Sequence, residues 1–204
     1  MNKNRSATNQ AELTPLRELC ARISGDPLLT QASTGNSSIK LEGVLWIKAS
    51  GEWMANAIHE DILIPLDLAE VKERVKHKVD PAERYTRASI ETAMHAVLPH
   101  RVVLHVHCVN TIAWAVRQDA PVQLEHQLDG LRWQWISYVP SGLPLAWEIE
   151  RFYPSPQTPT SSYWATTVWS SAEMIAALSK ISHPRYSNVW PFVRDRQARP
   201  TTVR

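Results

Sequence analysis

The stretch ASIETAMHAVLPHRVVLHVH, residues 88–107, contains the clearest change of pattern in the chain. Apolar residues recur at helical spacing over residues 88–98, and Pro99 ends that pattern because proline cannot continue a helix. The following run, residues 101–107, is rich in β-branched side chains, which favour extended strands. This stretch therefore predicts a helix, a short turn and a strand in direct succession.

The alternation of helix and strand continues on both sides of this stretch. Toward the N-terminus, Thr14 and Pro15 predict the start of a helix, since threonine caps helices and proline is tolerated at the first helical position. The other predicted elements are a hairpin over residues 37–48, an extended run over 62–66, a charged helix over 67–78, a helix over 109–117, a strand over 131–139 and helices over 143–151 and 172–180. Residues 153–171 are rich in Pro, Ser and Thr and show neither period. The order of elements predicts an α/β fold.

Length and composition are those of one globular domain. The chain has 204 residues, of which 44% are apolar and 21% charged, so it can bury a core and lacks the signature of disorder. We predict a polar lead over residues 1–12, one domain over 13–183 with an irregular part at 153–171, and a basic tail over 184–204.

Charge and cysteine usage exclude several classes of protein. The formal net charge of +2 is too small for a dedicated nucleic-acid binder. Cys20 and Cys108 lie far apart in sequence, which is typical of reduced thiols rather than of a secreted disulfide scaffold. No apolar run resembles a signal peptide or reaches the ~18 residues of a membrane span. We therefore expect a cytoplasmic protein that binds neither nucleic acid nor a membrane.

The predicted strand ends in a pair of histidines at metal-ligand spacing. On a strand, His105 and His107 point to the same face, so both imidazoles can reach one ion. Imidazole suits zinc and related divalent ions. Glu91 lies on the preceding helix, four residues before His95, and a carboxylate near such an ion can act as a general base. Two structural histidines and an exposed i,i+4 pair remain the alternatives from these residues alone.

Three short segments combine glycine with small polar residues and could bind an anion. Glycine lets backbone N–H groups approach a phosphate closely, while Ser and Asn side chains add polar contacts. The candidate residues are Gly35 and Asn36, then Ser50 and Gly51, and finally Ser89. Taken singly, each segment can equally be a plain turn.

Taken in order, these segments resemble one known family. Gly35-Asn36, the run LWIKASG over residues 45–51, Ser89-Ile90-Glu91 with His95, and His105-Val106-His107 are similar to the class II aldolase/adducin head-domain family, of the fuculose-phosphate and rhamnulose-phosphate aldolase type. The resemblance covers residues 13–151 and 171–180. It implies a three-layer α/β/α sandwich with a central, largely antiparallel sheet, assembled as a homotetramer.

The resemblance also implies a chemistry and a role for each candidate residue. His105 and His107 would bind zinc or another divalent metal, and Glu91 would alternate between metal contact and proton transfer. The substrate phosphate would be held by Gly35, Asn36, Ser50, Gly51 and Ser89. The implied reaction is carbon–carbon cleavage of a small sugar phosphate or related hydroxy-carbonyl compound, in which the metal stabilises an enediolate. A non-catalytic adducin-like assembly module, or an epimerase or decarboxylase on the same scaffold, is the alternative.

The chain departs from the family pattern at two places. Ile90 stands where the aldolases often have a second serine. The Asn-His-Gly motif that supplies the third metal ligand is absent, and Thr166 or Thr167 stands in the place of its histidine. Reading the codons of residues 163–169 from the third base of the Tyr163 codon yields Leu-Gly followed by positions that admit Asn, His and Gly. We therefore hypothesise a frameshifted segment around residues 153–171, and we expect the sheet to lack the strand that carries this motif.

Overall fold

The computed structural model describes residues 3–127, 133–152, 165–169 and 174–178. In these ranges the helices are α1 (Lys3–Ser24), α2 (Leu68–Lys76), α3 (Thr92–Val97), α4 (Val109–Ala115), α5 (Ala120–Gln127) and α6 (Leu143–Phe152). The strands are β1 (Asn36–Leu41), β2 (Val44–Lys48), β3 (Leu63–Asp67), β4 (Val102–Val106), β5 (Trp133–Trp135), β6 (Ala165–Trp169) and β7 (Met174–Leu178). None of the helices in the described ranges is long and apolar enough to cross a bilayer.

The strands form one mixed sheet in the order β3-β2-β1-β4-β7-β6-β5. Neighbouring strands are antiparallel except β5 and β6, which are parallel. The β1–β2 hairpin turns at Glu42 and Gly43, both at positive φ, which is the conformation that a two-residue turn between twisted strands requires. The prediction of a largely antiparallel central sheet is confirmed.

Helices cover both faces of the sheet. One face packs against α1, whose Leu13, Leu16 and Leu19 share a core with Ile39 and Leu104 of the sheet. The opposite face packs against α2, α3 and α6 through separate apolar clusters. Because the strand period is two, β1 and β4 present alternate residues to the two helical layers. The three-layer α/β/α architecture is thereby confirmed.

Helix α1 begins earlier than Thr14 predicts. The helix starts at Lys3 and includes Pro15 in its interior. Pro15 removes one backbone donor and leaves the carbonyl of Ala11 without its helical partner. Both residues lie on the exposed side of α1, where water can satisfy that carbonyl, so the helix continues through the proline.

Two predictions in the C-terminal third are wrong. Residues 172–180 do not form the predicted helix, since Met174–Leu178 is strand β7, hydrogen-bonded to β4 and β6. A short apolar run cannot be assigned to helix or strand by periodicity alone, and pairing with β4 decides. The segment 153–171 contains strand β6, whose sequence ATTVW is rich in strand-forming residues, so the expectation that the sheet lacks this strand is also wrong. Residues 153–164, 170–171 and the tail 184–204 lie outside the described residues.

Candidate active site

A carboxylate and an imidazole pair at the centre of the sheet, on the face that α3 covers. Glu91 precedes the first residue of α3, and its Oε2 atom lies 2.9 Å from Nδ1 of His105 on β4. Asn36 on β1 is in register with His105, and its Nδ2 donates a hydrogen bond to the same carboxylate oxygen. Asn36 Nδ2 also lies 3.2 Å from the hydroxyl oxygen of Ser89. Four residues from three segments of the chain thus form one buried polar cluster.

The close approach of β1 and β4 at this cluster depends on Gly35. Its φ is +75°, and a Cβ atom built there would lie 2.6 Å from the carbonyl oxygen of His105. Side chains larger than hydrogen would push the start of β1 away from β4. Gly35 is therefore placed to set the distance between Asn36 and His105, whatever its part in binding an anion.

The electrostatics of the cluster keep the Glu91 carboxylate ionised. Burial raises the pKa of the Glu91 carboxyl, but the hydrogen bond and charge of His105, with smaller contributions from His95 and Asn36, outweigh it and place the pKa at about 2. Glu91 is consequently ionised at neutral pH and can only accept hydrogen bonds. Nδ1 of His105 must then be the donor, and a neutral His105 ring carries its lone pair on Nε2.

His105 and His107 are suited to hold a metal ion in two respects. Their ring centroids are 4.9 Å apart, and metal-ligating histidines characteristically donate their second ring N–H to a carboxylate, as His105 does to Glu91. Burial lowers the pKa of His107, His105 lowers it further, and Glu91 opposes both effects. In the described part of the chain, no three His, Cys, Asp or Glu side chains converge as one metal site. The residues present therefore fit two positions of a zinc site.

The expected position of a third ligand is separated from β4 by a whole strand. Strand β7 lies between β4 and β6, and Ile175 of β7 is in register with both His105 and Val168. Two strand spacings correspond to roughly 10 Å between the backbones of β4 and β6. Thr166 and Thr167, on β6, are register neighbours of Ala177 and Ala176.

The remaining predicted anion-binding residues divide into buried and exposed. The Ser89 hydroxyl is buried and accepts a hydrogen bond from the backbone N–H of Glu91, at 3.3 Å, as well as from Asn36. Ser50 and Gly51 are exposed, and the N–H of Ser50 donates to the carbonyl of Arg87 at 2.9 Å. This bond holds the Ser50–Gly51 turn beside the segment that leads to Ser89.

A buried lysine that the sequence does not single out connects the loops around the cluster. The Nζ of Lys48, at the end of β2, donates to the carbonyls of Ser33 at 3.0 Å and Glu52 at 2.6 Å. Burial lowers the pKa of Lys48, while Glu91, Cys20 and Glu52 oppose that effect. Lysine at a strand end is ordinarily exposed, so only the three-dimensional structure identifies this contact.

A family comparison covers most of the chain. The family model described as Class II Aldolase and Adducin N-terminal domain matches residues 16–155. Among curated proteins, the uncharacterized oxidoreductase YuxG of Bacillus subtilis (strain 168) is 27% identical over an alignment of 146 residues, and the match covers 61% of this chain and 21% of that protein. The chain thus spans about a fifth of the length of that relative.

Solved structures share the fold. The N-terminal class II aldolase domain of a conserved protein from Thermoplasma acidophilum is 20% identical with a TM-score of 0.63, covering 79% of this chain and 81% of that one. The l-fuculose-1-phosphate aldolase from Thermus thermophilus is 16% identical with a TM-score of 0.53, covering 82% and 78%. With the matched family model, the sheet order and the buried cluster, the chain belongs to the class II aldolase and adducin N-terminal domain family.

Proposed function

We propose that the chain is a metal-dependent lyase of the class II aldolase type, which cleaves a carbon–carbon bond in a small sugar phosphate or related hydroxy-carbonyl compound. The observation that carries the proposal is the buried Glu91–His105 pair, with a 2.9 Å contact, beside Asn36 and Ser89. The l-fuculose-1-phosphate aldolase that shares the fold supports the choice of reaction class.

The side chains present can perform the proton transfers of such a cleavage. In a retro-aldol reaction, a substrate hydroxyl loses its proton, the adjacent carbon–carbon bond breaks, and the resulting enediolate gains a proton at carbon. The ionised carboxylate of Glu91 can accept the hydroxyl proton and return it to the carbon, so one group balances the reaction. If the substrate draws Glu91 away from His105, burial is the main remaining influence and raises the pKa toward the value that a general base needs.

His105 and His107 are the residues that would hold zinc. When bound there, zinc supplies Lewis-acid polarisation of the substrate oxygens. Asn36 and Ser89 would orient the substrate, and the exposed Ser50–Gly51 turn would contact its anionic end. Ile90, between Ser89 and Glu91, is 54% exposed and offers an apolar surface. The aldolases that this chain resembles often have a serine hydroxyl at this position. We therefore include unphosphorylated compounds in the proposed substrate class.

Burial of the pair argues against a purely structural module. Removing a carboxylate from water is costly unless it is paired and hydrogen-bonded, and an assembly domain has no need of this arrangement. YuxG is described as an oxidoreductase, but four fifths of its length have no counterpart in this chain, so its activity gives no second candidate. A homotetramer is part of the same proposal, and light scattering of the purified protein tests it.

The deciding experiment is a cleavage assay on the purified chain with and without zinc. L-Fuculose 1-phosphate and L-rhamnulose 1-phosphate are supplied to the protein, and released dihydroxyacetone phosphate is measured by coupled reduction. L-Ribulose 5-phosphate is supplied separately, and its epimerisation is followed. We expect release that requires zinc and is lost in Glu91→Gln but retained in Glu60→Gln, which alters an exposed carboxylate. Protein assayed at saturating zinc that cleaves neither sugar 1-phosphate would contradict the proposal, and epimerisation of the ribulose ester would favour the alternative.

A further inference from the structure

Two side chains of β1 each contact one side chain at the start of α3, and each of these two side-chain pairs is called a rung. Asn36 and Ser38 are two residues apart on one strand face, while Glu91 and His95 are four residues apart on one helical face. Asn36 Nδ2 donates to Glu91, and Ser38 Oγ lies 2.7 Å from Nδ1 of His95. Two residues of strand rise ~6.6 Å and four residues of helix ~6 Å, so the two spacings match.

The second rung is buried more deeply than the first. Ser38 and His95 are both fully buried, and Ser38 is in register with Val103, two residues before His105 on β4. The backbone N–H of His95 donates to the carbonyl of Glu91 at 3.1 Å, which joins the two rungs through one helical turn. Movement of His95 along or around α3 would therefore move Glu91.

The two rungs differ in what the reaction asks of them. To accept and return a proton, Glu91 must exchange its contacts with Asn36 and His105 for contacts with substrate. The Ser38–His95 contact does not have to break during the reaction and can persist throughout it. We infer that His95 is a positioning residue, which with Ser38 fixes the first turn of α3 on β1 while the Glu91 carboxylate changes partners. This inference rests on the proposed function only for its consequence in catalysis.

Two neighbouring serines of β1 provide a matched test. Ser38→Ala removes the hydroxyl that contacts His95, whereas Ser37→Ala removes an equally buried hydroxyl on the other face, where Ser37 lies 2.9 Å from Cys20 Sγ. The first readout is the nitrogen-bound imidazole proton of His105, observed by NMR in histidine-labelled protein and assigned with His105→Gln. We expect this resonance to shift or broaden in Ser38→Ala and to be unchanged in Ser37→Ala.

The second readout is kinetic and applies to zinc-loaded protein. Loss of one buried hydrogen bond that orients Glu91 should lower kcat about five- to tenfold in Ser38→Ala, while KM stays within about twofold. Ser37→Ala should leave both constants within about twofold of the original protein. Because the NMR readout does not require turnover, an inactive protein would contradict the proposed lyase function and leave the positioning test decisive.

An unshifted His105 resonance in folded Ser38→Ala, or equal shifts in the two serine variants, would overturn the inference. A fall in kcat of the same size in both variants would also overturn it. If Ser38→Ala does not fold, Ser38→Cys, which is close in volume and has only a weak S–H donor, is measured by the same criteria.

Discussion

Replacing Gly35 by alanine tests whether close contact between β1 and β4 builds the site. Alanine at the positive φ of this position costs about 1–2 kcal/mol through backbone strain alone. The new methyl group would also lie 2.6 Å from the carbonyl oxygen of His105, a backbone atom that cannot turn away, so the strands must separate. Overpacking of this kind adds about 1–3 kcal/mol. We expect Gly35→Ala to lower the free energy of unfolding by about 3 kcal/mol.

Gly43→Ala is the matched control for this prediction. Gly43 has a similar φ of +81°, but a Cβ atom there meets nothing within 4 Å, so only the backbone strain applies. Urea unfolding followed by tryptophan fluorescence gives the free energy for both variants. Gly35→Ala should lose at least about 1 kcal/mol more than Gly43→Ala. Equal losses would refute the argument that Gly35 is required for contact between the two strands.

Four further predictions concern acid, alkali, metal binding and the encoding DNA. Burial lowers the pKa of His95 to about 3 against the opposing effect of Glu91. Between about pH 3 and 6.5 the unfolded chain therefore binds a proton at His95 that the folded chain does not bind. The free energy of unfolding should fall as the pH is lowered through that range. In His95→Gln the free energy of unfolding, measured with urea, should fall less steeply with pH, by up to about 1.4 kcal/mol per pH unit. The same slope in both proteins would contradict this prediction. Burial, with a smaller effect of Lys72, lowers the pKa of Lys40 to about 7. The free energy of unfolding of the original protein, relative to that of Lys40→Met, should therefore rise between about pH 7 and 10.5. A difference between the two proteins that does not change with pH would contradict this. Zinc titration should show weak binding by the chain as written and no binding by His105→Ala. Binding should become stoichiometric when residues 163–168 are replaced by Leu-Gly-Asn-His-Gly-Leu. Equally tight binding by the original and the replaced chain would contradict the frameshift hypothesis. That hypothesis also predicts compensating insertions or deletions near codons 152–162 and 169–172, and DNA that aligns in frame with the family throughout would refute it.

Local patterns in the sequence account for most of the first half of the fold. The Glu42-Gly43 turn and the alternation around it predict the β1–β2 hairpin, and Asp67 caps α2 by accepting a hydrogen bond from the N–H of Glu70. Strand β7 is different because its five apolar residues fit either a helix or a strand. Pairing with β4, a tertiary interaction, decides between them.

The sequence predicts which residues of the candidate site lie near one another, but it does not predict their contacts or register. Glu91 at the start of a helix and His105 on the strand that returns from it are expected to lie close together, and the structure places them in contact. The register that sets Asn36 opposite His105 is not encoded in either local pattern. The contact between His95 and Ser38 is likewise invisible in sequence, since each residue alone fits an exposed position as well as a buried one. The catalytic, metal-binding and phosphate-binding roles stay predictions.

The polar cluster also bears on the order in which the protein acquires its structure. Asn36 and Glu91 are 55 residues apart in the chain, and Glu91 and His105 are separated by 14 more. Each of these groups is costly to bury alone, so no fragment that lacks β4 can assemble the cluster, and a nascent chain must wait until β4 has left the ribosome. Pairing of β1 with β4 is thus the step at which the folding chain gains the cluster, and it closes a loop of 69 residues between Asn36 and His105.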